Sequence, residues 1–186
     1  MNNFDHPLHK EYIQFCGIQS DINEHMPVLY QLALRCKTIT EFGVGYGRST
    51  RAFIASLLAT EGELNSYEIK ILDGVKELFA RAEKANLQAY FHLQNVLGGV
   101  EIKPTDLLLV DSHHTYTQVF SELQMHGNKV NKYIAFHDTI TFGEVGQDNG
   151  SLGIRPAIDD WMEKNKEWII KEELLNNNGL LILEKV

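Results

Sequence analysis

The sequence predicts an α/β fold: a doubly wound, mainly parallel, seven-stranded sheet with an antiparallel C-terminal hairpin and an N-terminal helical segment. Three observations predict it. From Thr38 onward, β-prone runs alternate with stretches of helical periodicity, which implies parallel strands joined by helices on both faces. The run Asp106–Val110 (DLLLV) is apolar almost throughout, as a strand covered on both faces must be. Between the last two β-prone runs stands Asn176-Asn177-Asn178-Gly179, a cluster suited to a tight antiparallel turn with positive φ.

The elements follow in order. Before Thr38, the residues Val28, Leu29, Leu32, Ala33 and Cys36 recur at three- and four-residue steps and make one helical face, so residues 1–37 read as a helical extension. Strands are expected at Thr38–Phe42, Glu63–Glu68, Ala89–Leu93, Asp106–Val110 and Tyr133–Phe136, then at Trp168–Leu174 and Leu180–Leu183. Helices are expected at Arg48–Ala59, Leu72–Ala85, Tyr116–His126 and Arg155–Lys164, the last with Pro156 in its first turn. Sustained loop chemistry appears only between Thr139 and Gly153; with four glycines in Ile140–Gly153, this stretch reads as a lid over a site.

The chain has 186 residues, one domain's worth, and is 44% hydrophobic and 23% charged, an ordinary globular balance. At this size roughly 70% of the unfolded chain's surface is buried on folding, enough for a self-sufficient core. Lys+Arg 17 against Asp+Glu 25 leaves a formal charge of -8 with no dense basic run, which argues against nucleic acid as a partner. No stretch reaches the run of about 18 apolar residues that a membrane helix needs. The opening MNNFDHPLHKEYIQF has neither a basic head nor an apolar block, and Cys16 and Cys36 do not form a CxxC pair. A cytoplasmic protein with reduced thiols is expected.

The sharpest motif is Glu41-Phe42-Gly43-Val44-Gly45-Tyr46-Gly47-Arg48-Ser49-Thr50, which follows one strand and opens a helix. Glycines let the backbone turn sharply and press against a ligand. Ser49 and the first helical N–H groups can then meet an anionic group. A dinucleotide fingerprint would place its third glycine at position 48, which is Arg48. Glu41 would repel a pyrophosphate but suits an ammonium group. Glu68 ends the next strand, where an acid can accept both hydroxyls of a ribose.

A second constellation, Asp111-Ser112-His113-His114-Thr115-Tyr116, follows DLLLV, and a third, His137-Asp138-Thr139, follows Tyr133–Phe136. Ligands of open α/β sheets bind beyond the carboxyl ends of the strands, so these groups converge beside the glycine loop. Carboxylates and imidazoles brought together can hold a hard or borderline divalent cation. They can equally supply a general base near neutral pH. His113 reads as a loop residue, and His6, His9, His25, His92 and His126 carry no assigned chemistry.

From Thr38 to Val186 this combination resembles the class I S-adenosylmethionine-dependent methyltransferases, with a Rossmann-like core over residues 38–186. The resemblance implies that Glu41, Gly43, Gly45, Gly47 and Ser49 hold the methionine end of the cofactor. Glu68 would hold the ribose, Asn95 would lie near the adenine, and Asp111 would border the cofactor. The spacing D-x-x-H-x-Y, followed by H-D, is similar to a subgroup of small-molecule O-methyltransferases and cephalosporin-hydroxylase-like proteins.

That similarity implies Mg²⁺ or another divalent cation at Asp111, His137 and Asp138, with His114 as base and Asp111 and His137 beside it in catalysis. Two positions depart from the subgroup: His137 replaces an acid, and Asn131-Lys132 replaces a glycine pair. The activity implied is methyl transfer to a hydroxyl, in preference to a nitrogen, of a small molecule. The segment before Thr38 would serve as a lid or as a homo-oligomer contact. Two competing readings are an NAD-dependent oxidoreductase and a non-catalytic cofactor-binding scaffold.

Overall fold

The computed structural model describes residues 3–186. Helices α1 (Pro7–Cys16) and α2 (Met26–Ala33) precede β1 (Thr38–Phe42), α3 (Arg48–Thr60), β2 (Glu63–Glu68), α4 (Val75–Lys84) and β3 (Gln88–Leu93). There follow β4 (Thr105–Val110), α5 (Tyr116–His126), β5 (Val130–His137), α6 (Ile154–Lys164), β6 (Trp168–Leu174) and β7 (Leu180–Lys185). The seven strands form one sheet in the order β3-β2-β1-β4-β5-β7-β6. The first five run parallel, and β7 pairs antiparallel with both β5 and β6. Strand order reverses at β1, so the crevice beyond the carboxyl ends of β1 and β4 is the place for a ligand.

Side-chain alternation along these strands decides what lies on each face. Ile39, Leu107, Leu109, Tyr133, Ala135 and Ile182 face one way and pack with Leu29 and Leu32 of α2, Phe53 and Leu57 of α3, and Leu78 of α4. Phe42, Leu108, Val110, Ile134, Phe136 and Leu183 face the other way, onto Val119 and Leu123 of α5 and Ile158 and Trp161 of α6. All of β4 is buried, as its apolar run requires. Each fully buried side chain of this size contributes roughly 1.5–3 kcal/mol.

Two boundaries differ clearly from expectation, each for a local reason. β5 starts at Val130, ahead of Tyr133, because a register shift between Thr105 and Leu107 accommodates the extra residue; exposed Asn131 and Lys132 sit there and interrupt the apolar pattern. Helix α4 starts at Val75 and not at Leu72, because Gly74 before it takes φ 81°, outside helical space. The N-terminal extension is helical, as expected, and joins the core. It forms two helices with Pro7 and Pro27 in their first turns, and Leu8, Leu29 and Leu32 belong to the main core. No helix among the described residues is long and apolar enough to cross a membrane.

Candidate active site

The same alternation that builds the core aims the site. Glu41 shares the face of Ile39, so it points beneath helix α3 and away from the crevice. It is 0% exposed and accepts hydrogen bonds from Ser49 Oγ (2.6 Å), Thr50 Oγ1 (2.9 Å) and Ser66 Oγ (2.6 Å). Burial pushes its carboxyl up to about 7, against those three hydroxyls, and nearby Asp111 adds to the rise. Glu41 and Ser49 are therefore spent on each other. They brace the start of α3 from behind, whereas the sequence suggests that Glu41 meets an ammonium group and Ser49 an anionic group at the methionine end of the cofactor.

The loop itself folds as its glycines demand. Gly43 takes φ 85°, and a Cβ there would meet the backbone oxygen of Asp111 at 1.9 Å. Only glycine lets β1 and β4 end so close together. Gly47, at φ 72°, precedes α3, and its carbonyl and that of Tyr46 accept from Arg51 Nη1 (2.7 and 2.9 Å). Arg51 in turn bonds Glu11 of α1 at 2.8 Å, so the N-terminal helix holds the far end of the loop.

Glu68 ends β2 facing the loop. Its Oε2 accepts from the N–H of Val44 (3.1 Å) and Gly45 (3.2 Å), and its Oε1 from Ile69 (2.7 Å) and Lys70 (3.3 Å). A carboxylate offers about four acceptor positions, so all are taken. Between the strand ends lies a cleft of about 330 Å³. Of the sequence-predicted residues, Gly43, Gly45, Glu68, Asn95 and Asp111 line it; Asn95 is exposed, and its Oδ1 accepts from the N–H of Leu97 in a tight turn.

Beyond β4 and β5 the structure brings together four groups. Asp111 and His137 follow the paired residues Val110 and Phe136, and both share the face of Leu109 and Ala135, so they meet: His137 Nδ1 lies 3.2 Å from Asp111 Oδ1. His137 Nε2 lies 3.2 Å from the carbonyl oxygen of Asp21, which only an N–H can satisfy. Burial opposes charge on this ring, but Asp111, Asp138 and Asp21 outweigh it and raise its pKa to about 9. His137 is an imidazolium that donates from both nitrogens.

Of the expected metal set Asp111, His137 and Asp138, His137 turns its two ring nitrogens to the Asp111 carboxylate and the Asp21 carbonyl. The donor atoms that do cluster, within 4.8 Å of one another, belong to Asp111, His114 and Asp138. His114 Nε2 stands 3.3 Å from Asp111 Oδ1 and 3.2 Å from Asp138 Oδ2. Its Nδ1 lies 3.1 Å from Gln147 Oε1, and its ring stacks on Phe142 (5.0 Å, 15°). Desolvation lowers the basicity of His114, yet the two carboxylates and Gln147 more than offset it, so its pKa lies above 6.5. Burial likewise resists ionisation of Asp111, while His137 and His114 hold its carboxyl below the ordinary value.

Asp138 holds the left-handed conformation (φ 60°), which costs a non-glycine residue roughly 1–3 kcal/mol. That turn swings its carboxylate onto His114 while Asn178 Nδ2 donates to its other oxygen at 2.7 Å. His113 is exposed and pairs with Asp148 (2.9 Å) away from this cluster.

Residues 140–153, expected as a lid, carry a Val145–Leu152 bridge, and the Gln147 N–H donates to the His114 carbonyl (2.8 Å), which lays this stretch beside the cluster. Sequence reasoning missed two contributors. His25, given no role, packs edge-on against His137 (5.6 Å). Glu122 lines the cleft from α5. Only the last had a signal: a carboxylate in step with the apolar residues Val119 and Leu123 on one helical face.

No family model matches the chain, and no curated protein matches it. Solved structures do. An O-methyltransferase from Bacillus cereus, solved with S-adenosylhomocysteine, aligns over 98% of this chain and 92% of its own, with TM-score 0.64 and 15% identity. The O-methyltransferase TomG from Streptomyces achromogenes, involved in tomaymycin synthesis and solved with S-adenosylmethionine, aligns over 96% and 86% (TM-score 0.65, 14% identity). The S-adenosylhomocysteine-bound methyltransferase PaMTH1 from Podospora anserina aligns over 97% and 88% (TM-score 0.63, 13% identity). At such identities the likeness is one of fold: the Rossmann-like, mixed seven-stranded sheet of methyltransferases.

Proposed function

We propose that this chain is an S-adenosylmethionine-dependent O-methyltransferase acting on the hydroxyl of a small molecule. The observation that carries the reading is the juxtaposition itself: a cleft walled by a glycine loop and an acid at the end of β2 opens beside an imidazole held between two carboxylates. Neighbours of the same fold bind S-adenosylmethionine or its product, which supports the cofactor assignment.

The residues fit that cofactor. Gly43 and Gly45 leave backbone against the cleft, and Glu68 presents a carboxylate to a ribose diol. When bound, the cofactor supplies an activated methyl on sulfur, which passes to the acceptor oxygen as the S–C bond breaks. The chain must align donor and acceptor and take up the acceptor's proton. His114 Nε2 is the atom for that proton: Gln147 holds Nδ1–H, Phe142 fixes the ring plane, and Asp111 and Asp138 stabilise the imidazolium that forms. Asp111 is itself held by His137, which acts as a positioning residue.

A divalent cation has a donor set in Asp111, His114 and Asp138. Two carboxylates with an imidazole suit a borderline ion better than Mg²⁺. Such an ion would supply Lewis acidity at the acceptor oxygen, and it would exclude His114 Nε2 from the role of base. The two roles are separated by activity in excess chelator with metal content checked: full activity leaves the proton to His114. Cys16 and Cys36 are free thiols, which supports work in the cytoplasm.

The reading is tested by calorimetry with S-adenosylhomocysteine and with nicotinamide dinucleotides. Saturable heat with the first alone is expected. Saturable heat only with a dinucleotide would turn the assignment to hydride chemistry.

A further inference from the structure

Helix α5 carries one carboxylate into the interior. Glu122 is 0% exposed, on the stripe with Val119 and Leu123 that packs against the sheet. Its Oε1 accepts from Ser112 Oγ and from Gln118 Nε2, both at 2.7 Å, while its Oε2 is buried with no hydrogen-bond partner. A buried acceptor with no donor is rare in a folded protein and asks for an explanation. Glu122 also borders the cleft, at the part it shares with Gln118, Asn95 and Val96. The vacant acceptor belongs to a wall of the ligand's own space.

We infer that Glu122 reads the base of the bound cofactor, its free Oε2 accepting a hydrogen bond from the 6-amino group of adenine. This rests on the methyltransferase reading above. With the methionine end at the glycine loop and the ribose at Glu68, the remaining stretch of cleft lies between Asn95–Val96 and Gln118–Glu122 and must take the purine. The exocyclic amine is the donor adenine offers there. Ser112 and Gln118 both donate to Oε1, which fixes the carboxylate's orientation and leaves Oε2, on a residue that lines the cleft, without a donor. Burial pushes the Glu122 carboxyl up to about 7, so the comparison is made well above that pH, where the ionised Oε2 would set oxygen against the oxygen of a 6-oxo purine and disfavour it. A polar group preset for one partner discriminates strongly because the wrong ligand leaves it unpaired.

The test compares S-adenosylhomocysteine with its hypoxanthine counterpart, S-inosylhomocysteine, by calorimetry on the wild-type protein and on Glu122→Gln. The wild type should prefer the amine by tenfold or more. In Glu122→Gln the side-chain oxygen stays with its two donors and an NH₂ faces the purine. The preference should therefore shrink below threefold or invert, with adenosyl affinity falling and inosyl affinity rising. Equal wild-type affinity for both ligands, or an unchanged preference in the variant, would overturn the role of Glu122 while leaving cofactor binding standing. Failure of both ligands to bind the wild type would instead remove the methyltransferase reading, and this inference with it. The wild-type arm stands even if the variant does not fold.

Discussion

The glycine loop after β1 and the Asp–His cluster after β4 and β5 lie side by side, yet they hold their acids by opposite means. Glu41 is surrounded by hydroxyls, neutral donors that do not offset its loss of water, and its carboxyl titrates at about 7. Asp111 faces two imidazoles, which hold it below the ordinary value. The difference fits the roles proposed for the two regions. Neutral donors in a dry setting leave the brace in favour of the uncharged acid, whereas ion pairs favour the charged forms of both partners. On the proposed function the cluster is the reactive half and the loop the holding half.

The largest effect should come from the cluster. His114→Asn removes the proposed base but keeps a polar side chain, so kcat should fall about 10²–10⁴-fold with cofactor affinity nearly unchanged. The base works only when neutral, and the carboxylates raise its pKa, so the wild-type rate should climb with pH through a midpoint above 6.5. An inflection below 6.5 would break the contrast, because it would mean that carboxylates do not dominate that ring. His113→Asn should change kcat by less than about twofold, its pair with Asp148 being exposed.

The holding half is probed through stability. The folded pKa of Glu41 lies above its ordinary 4.5, so the fold favours the neutral acid: that stabilisation is present below about 4.5 and is lost as pH rises through about 7. Glu41→Gln, neutral at every pH, should therefore gain on the wild type between pH 4.5 and 8 by up to about 3 kcal/mol. Denaturant unfolding of both proteins across that range measures it. A difference that stays flat with pH would mean that Glu41 is not the neutral brace described.

A smaller loss is expected for Glu68→Ala. Charge-assisted hydrogen bonds are worth about 1.5–3 kcal/mol each, but Glu68 already serves four backbone N–H groups, so the net loss in cofactor binding should be near one such bond. Calorimetry with S-adenosylhomocysteine reads it, and unchanged affinity would end the ribose assignment. Smallest is Asn178→Ala, which deletes one donor to Asp138 Oδ1 and should cost about 1 kcal/mol of unfolding free energy. If His114 depends on how that carboxylate is aimed, kcat should fall with it while KM for the cofactor does not.

Much of this was legible without coordinates. The alternation of Thr38–Phe42, Arg48–Ala59 and Glu63–Glu68 announced a parallel β-α-β unit, and the Asn/Gly cluster before Leu180 announced the hairpin: Asn177 takes φ 51° and Gly179 φ 91°. The glycine loop, Glu68 and the two His/Asp runs were visible because strand ends carry ligands in such sheets. These are consequences of local periodicity and turn chemistry, which depend on neighbours a few residues away.

Which donors surround each side chain was decided only by the tertiary structure. His137 could not be read as an imidazolium, because the carbonyl it bonds belongs to Asp21, 116 residues earlier in the chain. Glu41 could not be read as buried until β1 and β2 were in register, which sets Ser66 opposite it. Glu122 became a candidate reader of the ligand only when α5 was packed on the sheet and one of its oxygens was left without a donor. Local sequence sets backbone period and therefore which way a residue faces. What it faces is set by the register and packing of distant segments, and it is that surrounding which determines whether an acid is a brace, a partner for a base or a contact for a cofactor.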